Sequence, residues 1–287
     1  MKRLAIFCFV LSAVFQPAHA VRYEQRDSLR AVELLSAGAN LPADSCLMLF
    51  YAHQFLGTPY VASTLEGDRE EQLVVNLHAL DCTTFVETVA ALTLTTRHGS
   101  RRWEDFLHWL QTLRYEGGRL SGYASRNHYF SQWIVSGDSL GLLHELQAGE
   151  DGNRAPFLES RRIELSYMTA HPDAYPALRG NEQMCEQIRQ REKAASGTTI
   201  RYIPTAQLSR EGSLLAAIHD GDVLGMVTRV EGLDVTHLGL AEWGSDGKLH
   251  LLHASSREKR VVLDSVTLYD RLRQQASWLG VRVVRVD

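Results

Sequence analysis

The chain has 287 residues, of which 45% are hydrophobic and 22% are charged, and its formal net charge is −4. This composition is typical of a globular protein, and the length allows a substantial hydrophobic core. The small negative charge and the scattered basic residues argue against a nucleic-acid partner.

The first twenty residues have the pattern of an export signal. Lys2 and Arg3 precede an apolar run at 4–15, and Ala18 and Ala20 supply the small residues of a cleavage site. The run is too short to span a bilayer. We therefore predict a signal peptide at 1–20, cleaved after Ala20, and a periplasmic or secreted chain that is not embedded in a membrane.

Export would leave three cysteines, at positions 46, 82 and 185. An oxidising compartment favours disulfides, and an odd count leaves at least one thiol free or paired between chains. A bridge between Cys46 and Cys185 would leave Cys82 free. The alternative is that Cys46 and Cys185 are two separate buried cysteines.

Apolar periodicity predicts helices in the first two thirds of the chain. They lie at 25–38, 44–55, 83–96, 103–113, 129–134 and 184–195. Asp81 is the expected N-cap of the third helix, although Thr84 and Glu87 have capping-box spacing and mark a rival start. With Asp81 as the cap, Cys82 lies in the first turn, where the helix dipole favours a thiolate.

The last third of the chain has the pattern of strands separated by turns. Strands are predicted at 222–228, 236–243, 249–254, 260–263 and 281–286. Helices followed by antiparallel strands predict an α+β fold. We expect a single domain over 21–287, with a helical insertion at about 101–200.

A cysteine hydrolase needs a base and a group that orients the base. His237 opens one predicted strand and His253 closes the next. In a hairpin whose three- or five-residue turn is centred on Ser245, His237 lies opposite His253 and their side chains share a face. A four-residue turn would place the two rings on opposite faces.

In the favourable register, Gly239 and Ala241 share the face of His237, where we expect them to leave room for the Cys82 helix. His250 points the other way and is excluded. Buried cysteines and strand histidines are also common in ordinary cores, so spacing does not by itself assign catalysis.

Together these residues resemble the NlpC/p60 superfamily of papain-like cysteine peptidases. The resemblance rests on Asp81-Cys82, on His237-Leu238-Gly239 and on His253, and the segment from Gly57 to Tyr60 resembles the Gly-x-Pro-Tyr element of the superfamily. It implies an NlpC-type core with a nucleophile helix packed on an antiparallel sheet. It also implies that Cys82 is the nucleophile, His237 the base and His253 the orienting residue, with Tyr60 lining the pocket.

The five residues after Cys82 depart from the usual Ser-Gly of that superfamily and resemble its N-acetylmuramoyl-L-alanine amidase-like branch, as do 125–134, 167–172 and 221–282. The resemblance implies an amidase that cleaves between N-acetylmuramic acid and L-alanine in peptidoglycan or muropeptides, without a metal or cofactor. Arg126 and His128 would line its pocket, with the guanidinium pairing a peptide carboxylate. The alternative is that both are structural residues where a helix begins.

Three other functions stay open. The first is a γ-D-glutamyl–diamino acid endopeptidase that uses the same triad, and the second is a peptidoglycan-binding module without activity. The third is a zinc hydrolase that would use Asp234, His237, His250 or His253. The chain has no His-x-x-x-His or His-Glu-x-x-His pattern to support zinc.

Overall fold

The computed structural model of the protein describes residues 21–67, 70–146, 159–209 and 215–287. The predicted signal peptide lies outside them. The described helices are α1 (Gln25–Gly38), α2 (Leu47–His53), α3 (Cys82–Arg97), α4 (Trp103–Arg114), α5 (Phe130–Ser139), α6 (Tyr167–Ala170), α7 (Glu182–Ala195) and α8 (Leu268–Arg273). None of these helices is long and apolar enough to cross a membrane.

The strands form one large antiparallel sheet and one small parallel pair. They are β1 (Val21–Arg22), β2 (Leu73–Val74), β3 (Leu143–Glu145), β4 (Glu159–Arg162), β5 (Thr199–Pro204), β6 (Val223–Thr228), β7 (Val235–Trp243), β8 (Leu249–Ser255), β9 (Arg260–Leu263) and β10 (Trp278–Val286). The large sheet has the order β4-β5-β10-β6-β7-β8-β9, with β3 also paired to β10, and β1 pairs with β2. The predicted mixture of helices and a large antiparallel sheet is confirmed.

The section from 101 to 200 contains α4 to α7, and it also supplies strands to the sheet. β3 pairs with β10 and β4 pairs with β5. Neither of these two strands was predicted, because both are short and their residues do not alternate between apolar and polar.

Helix α3 lies at the centre of the packing. Its residues from Thr84 to Thr95 are all buried, because α1, α2 and α4 pack against it on one side and β7 and β8 on the other. A helix that is buried all round needs apolar or small residues on every face. The apolar periodicity that predicted this helix therefore describes only part of its buried surface.

The start of α3 is fixed by reciprocal hydrogen bonds. The Thr84 N–H donates to Asp81 Oδ1 over 2.8 Å, and the Asp81 N–H donates to the Thr84 hydroxyl over 2.9 Å. Asp81 is thus the N-cap, as predicted, and Cys82 is the first helical residue. The rival start at Thr84 is wrong, since Glu87 turns instead to Arg114, whose Nε donates to it over 2.7 Å.

Different helices pack on the two faces of the sheet. Leu238, Leu240 and Leu252 face α3, whereas Ala241 and Leu251 belong to a second core that α8 covers. Because side chains alternate along a strand, His237 and Gly239 share the α8 face with Ala241. The sequence suggested that Gly239 and Ala241 leave room for the Cys82 helix. This expectation is wrong, because α3 packs on the opposite face.

Candidate active site

Cys82 and His237 line the same cleft, which has a volume of about 250 Å³ and lies between the start of α3 and the start of β7. We call it the first cleft. Its remaining wall is rich in aromatic side chains, which are Tyr129, Phe130, Trp133, Tyr167 and Tyr175. The strand that carries His237 also contacts α3, and the backbone of Leu238 hydrogen-bonds to the Cys82 sulfur.

The two predicted histidines are in direct contact. His237 Nε2 and His253 Nδ1 are 2.5 Å apart, and the rings are nearly perpendicular. In the hairpin, Leu240 pairs with Leu252 and Trp243 with Leu249, so the turn is centred one residue beyond Ser245. The rings share a face, as predicted, but they are diagonal neighbours and not directly opposite.

Gly239 makes room for His253. Continuing the register of the hairpin places Gly239 opposite His253, and a Cβ at position 239 would lie 2.9 Å from the His253 Cβ. It would also lie 2.7 Å from Leu251 Cδ1. A larger residue at this position would displace the ring that contacts His237.

His250 points away from the two histidines, as predicted. It pairs across the hairpin with Glu242, and its Nδ1 lies 3.0 Å from the Asp264 carbonyl oxygen. Among the described residues, no group of three His, Cys, Asp or Glu side chains lies close enough together to hold a metal ion.

The chain of contacts continues from His253 to two residues that the sequence analysis missed. His253 Nε2 lies 3.4 Å from Asp264 Oδ1, and Arg271 donates to both Asp264 oxygens over 2.5 Å. Burial raises the pKa of the Asp264 carboxyl, but the hydrogen bonds from His253 and Arg271 outweigh it and hold that pKa below its ordinary value. Asp264 is therefore a buried carboxylate.

This carboxylate sets the tautomers of both rings. A carboxylate only accepts hydrogen bonds, so His253 Nε2 donates to Asp264 and its Nδ1 is left as an acceptor. The His237 Nε2–H then donates to His253 Nδ1. The lone pair of His237 therefore lies on Nδ1, the nitrogen that can accept a proton from a nucleophile.

Cys82 and His237 are both neutral in this cleft. Burial raises the pKa of the Cys82 thiol to about 11, and the charge of Asp81 acts in the same direction. Burial also lowers the pKa of His237 to about 3, with a further contribution from His253. The expectation that the helix start favours a thiolate is wrong for this resting site, because burial penalises every charged form.

Tyr60 lies near Cys82 without lining the first cleft. Burial raises the pKa of its hydroxyl to about 12, and the proximity of Cys82 and Asp81 acts in the same direction. Its backbone N–H donates to the Lys259 carbonyl over 2.8 Å, which ties the residue to the turn after β8. Tyr60 therefore offers a protonated hydroxyl near the sulfur.

His128 and Arg126 were expected to line the same pocket, but the structure separates them. His128 lines the first cleft, and burial, followed by the charge of Arg126, lowers its pKa to about 3. Arg126 does not line this cleft. Its guanidinium is held by Glu66 at 2.7 Å and Glu71 at 2.8 Å, so it is not available to pair a peptide carboxylate.

The other two described cysteines are distant from the cleft and are not bridged. Cys46 is exposed at the start of α2, where its sulfur contacts the Asp220 carbonyl, and Cys185 is half-buried in α7. All three described cysteines are free thiols. Neither the Cys46–Cys185 bridge nor a pair of fully buried thiols is present.

Comparison with known proteins places this site in a family context. A family model described as AmiA-like, N-acetylmuramoyl-L-alanine amidase-like, matches residues 51–280. Among curated proteins, none matches the chain.

Three solved structures are similar. An N-acetylmuramoyl-L-alanine amidase from Bacteroides uniformis is 36% identical, with 88% of this chain and 99% of that chain covered and a TM-score of 0.77. A Bacteroides fragilis protein proposed to be a xylanase is 38% identical, with 82% and 99% covered and a TM-score of 0.75. A Legionella pneumophila protein is 24% identical, with 91% and 94% covered and a TM-score of 0.67, and it supports the fold alone.

The protonation state of Cys82 predicts how it reacts with iodoacetamide. Only a thiolate is alkylated, so with a pKa of about 11 the rate should rise about tenfold per pH unit between pH 7 and 10. The measurement uses a Cys46→Ser/Cys185→Ser variant, in which Cys82 is the remaining described thiol. A rate that is already constant below pH 8 would show a preformed thiolate and contradict the neutral pair.

Proposed function

Because the chain belongs to the N-acetylmuramoyl-L-alanine amidase-like family, we propose that it is an exported cysteine amidase. Its substrate is the amide bond between N-acetylmuramic acid and L-alanine, in peptidoglycan or in soluble muropeptides. The observation that carries the proposal is the first cleft, which is lined both by a thiol at a helix start and by His237, whose Nε2 is engaged by His253 so that Nδ1 is left to act as a base.

The reaction begins with a proton transfer inside the cleft. As the Cys82 sulfur attacks the lactyl carbonyl carbon, its proton passes to His237 Nδ1. The imidazolium that forms donates through Nε2 to His253, which in turn contacts the Asp264 carboxylate. A buried pair that is neutral at rest thus becomes charged only as the bond forms, when the carboxylate stabilises the new positive charge.

The negative charge on the carbonyl oxygen needs donors at the same moment. The Cys82 backbone N–H lies in the first turn of α3, where backbone N–H groups have no partner within the helix. It is the first oxyanion donor that we propose, and the Tyr60 hydroxyl is a second donor near the sulfur.

Collapse of the intermediate divides the substrate into two halves. His237 gives its proton to the departing alanine nitrogen, and the N-acetylmuramoyl group stays on Cys82 as a thioester. Water then gives a proton to His237 and attacks the thioester, which releases the lactyl carboxylate and restores the thiol. No metal or cofactor enters any step.

The surroundings of the cleft agree with a sugar on the acyl side. Flat aromatic side chains pack against the apolar faces of pyranose rings, and Tyr129, Trp133 and Tyr167 supply such surfaces in the first cleft. We also propose that α3, β7 and β8 form an NlpC/p60-type papain-like core. The support is the order of Asp81-Cys82 at the helix start and His237 on the adjoining strand.

The relative proposed to be a xylanase suggests a second candidate function. Glycoside hydrolases need two carboxyl groups that flank the scissile bond. The carboxylates that line the first cleft are Glu87, which pairs with Arg114, and Asp234, which accepts the Ser131 N–H over 2.6 Å. Because both are engaged in the core, the geometry favours the thiol and the amidase.

Digestion of a soluble muropeptide, followed by mass spectrometry, tests the scissile bond. We expect a glycan with a free lactyl carboxylate and an intact peptide that begins with L-alanine. Cys82→Ser should reduce kcat/KM by at least about 10³-fold, since it removes the nucleophile, whereas Cys185→Ser and added chelator should leave it unchanged. Cleavage after D-glutamate would establish the endopeptidase instead, and loss of activity in chelator would establish a metal enzyme.

Replacing Asp264 should lower turnover without weakening substrate binding. In Asp264→Asn an amide replaces the acceptor that fixes the tautomers, so kcat should fall on the order of 10²-fold with KM unchanged. Asp246→Asn is the matched control, because Asp246 is an exposed carboxylate on the same hairpin that contacts the excluded His250. An unchanged kcat, or a change confined to KM, would contradict the role of Asp264 in positioning the histidines.

A further inference from the structure

A second cleft, of about 280 Å³, adjoins the first one at the catalytic histidine. Thr236 and His237 line both clefts. Cys82 lines the first, and His253 lines the second. The His237 ring therefore stands between the two cavities, with its Nε2 bonded to His253 on the side of the second cleft.

The two clefts differ in charge. The charged side chains that line the first are Glu87 and Asp234, which are ion-paired with Arg114 and Arg282, whereas those that line the second are Arg257 and Arg271. Arg271 is already held by Asp264. Arg257 is exposed and donates to the uncharged Gln274 Oε1 over 3.2 Å. Among the described residues, no carboxylate pairs with it.

The chemistry of amide cleavage indicates which half of the substrate lies near Cys82 and which half lies near His237. The sulfur must contact the acyl carbon, and the imidazole must contact the leaving nitrogen to which it gives a proton. The acyl group therefore lies on the Cys82 side of the bond, the leaving nitrogen lies at His237 Nδ1 within the first cleft, and the rest of the peptide extends beyond His237. The first cleft, at about 250 Å³, is smaller than the roughly 300–1,000 Å³ of typical ligand pockets, so a muropeptide needs additional binding surface beside it.

We propose that the second cleft binds the leaving peptide, and that Arg257 pairs with a carboxylate of the acidic residue that follows alanine. The proposal rests on the amidase function and adds the position and chemistry of the peptide subsite. A guanidinium suits this task because it can donate two parallel hydrogen bonds to a carboxylate. Trp278, whose ring stacks on His237 with 5.9 Å between centroids, forms the wall along which the peptide leaves the imidazole.

Two substrates with different leaving groups distinguish carboxylate binding by Arg257 from a general loss of activity. N-acetylmuramoyl-L-alaninamide has a neutral leaving group, and N-acetylmuramoyl-L-alanyl-D-glutamate has an acidic one. Arg257→Ala should raise KM for the glutamate substrate about tenfold, as expected for loss of a charge-assisted pair, and should leave kcat/KM for the alaninamide unchanged. Competitive inhibition by the free dipeptide L-alanyl-D-glutamate should weaken by the same factor.

Arg273→Ala is the matched control, because Arg273 is an exposed arginine of α8 that lies over the Tyr269 ring and lines neither cleft. It should change neither substrate. Equal losses on both substrates in Arg257→Ala, or no loss on either, would overturn the peptide subsite while leaving the amidase intact. A wild-type enzyme that cleaves neither compound would overturn the amidase function, and the subsite with it.

Discussion

The complete burial of α3 is the constraint on which the site depends. Twelve consecutive residues of this helix, from Thr84 to Thr95, are buried between α1, α2 and α4 on one side and β7 and β8 on the other. The helix cannot tilt without opening the core, and the Asp81–Thr84 capping box fixes where it begins. The position of Cys82 is therefore set by a rigid element and not by a loop.

The same burial controls the charges of the site. It keeps Cys82 a thiol and His237 a neutral imidazole at rest, because low polarity disfavours the charged form of each. The carboxylate of Asp264 is ionised despite burial, since Arg271 and His253 hydrogen-bond to it. The permanent charge thus stands at the far end of the chain of contacts, where it fixes the tautomers and is ready to stabilise an imidazolium.

Local patterns were sufficient to predict much of this architecture. Apolar periodicity located α1, α3, α4 and α7 to within a few residues, and β6 to β10 followed from runs of apolar and β-branched residues. Asp81 was identified as the N-cap because capping depends on a residue and its next three neighbours. The shared face of His237 and His253 also followed, since the alternation of a hairpin depends only on whether its loop has an odd or even length.

Features that depend on distant residues could not be predicted. The turn is centred on Asp246 and not on Ser245, and both centres give the same alternation, so the sequence did not distinguish them. Asp264 directly follows β9, and it contacts His253 because β9 pairs with β8. Arg126 is engaged by Glu66 and Glu71, which are more than fifty residues earlier in the chain, and it lines another cleft together with them.

Trapping the covalent intermediate tests the central claim most directly. Wild-type enzyme that is quenched in acid during turnover of a muropeptide, then digested and mapped by mass spectrometry, should carry an N-acetylmuramoyl group as a thioester on Cys82. The mass of the adduct identifies which half of the substrate remains on the enzyme. An adduct on another residue, or one on Cys82 that retains alanine and glutamate, would contradict a cysteine amidase that cleaves at the lactyl carbonyl.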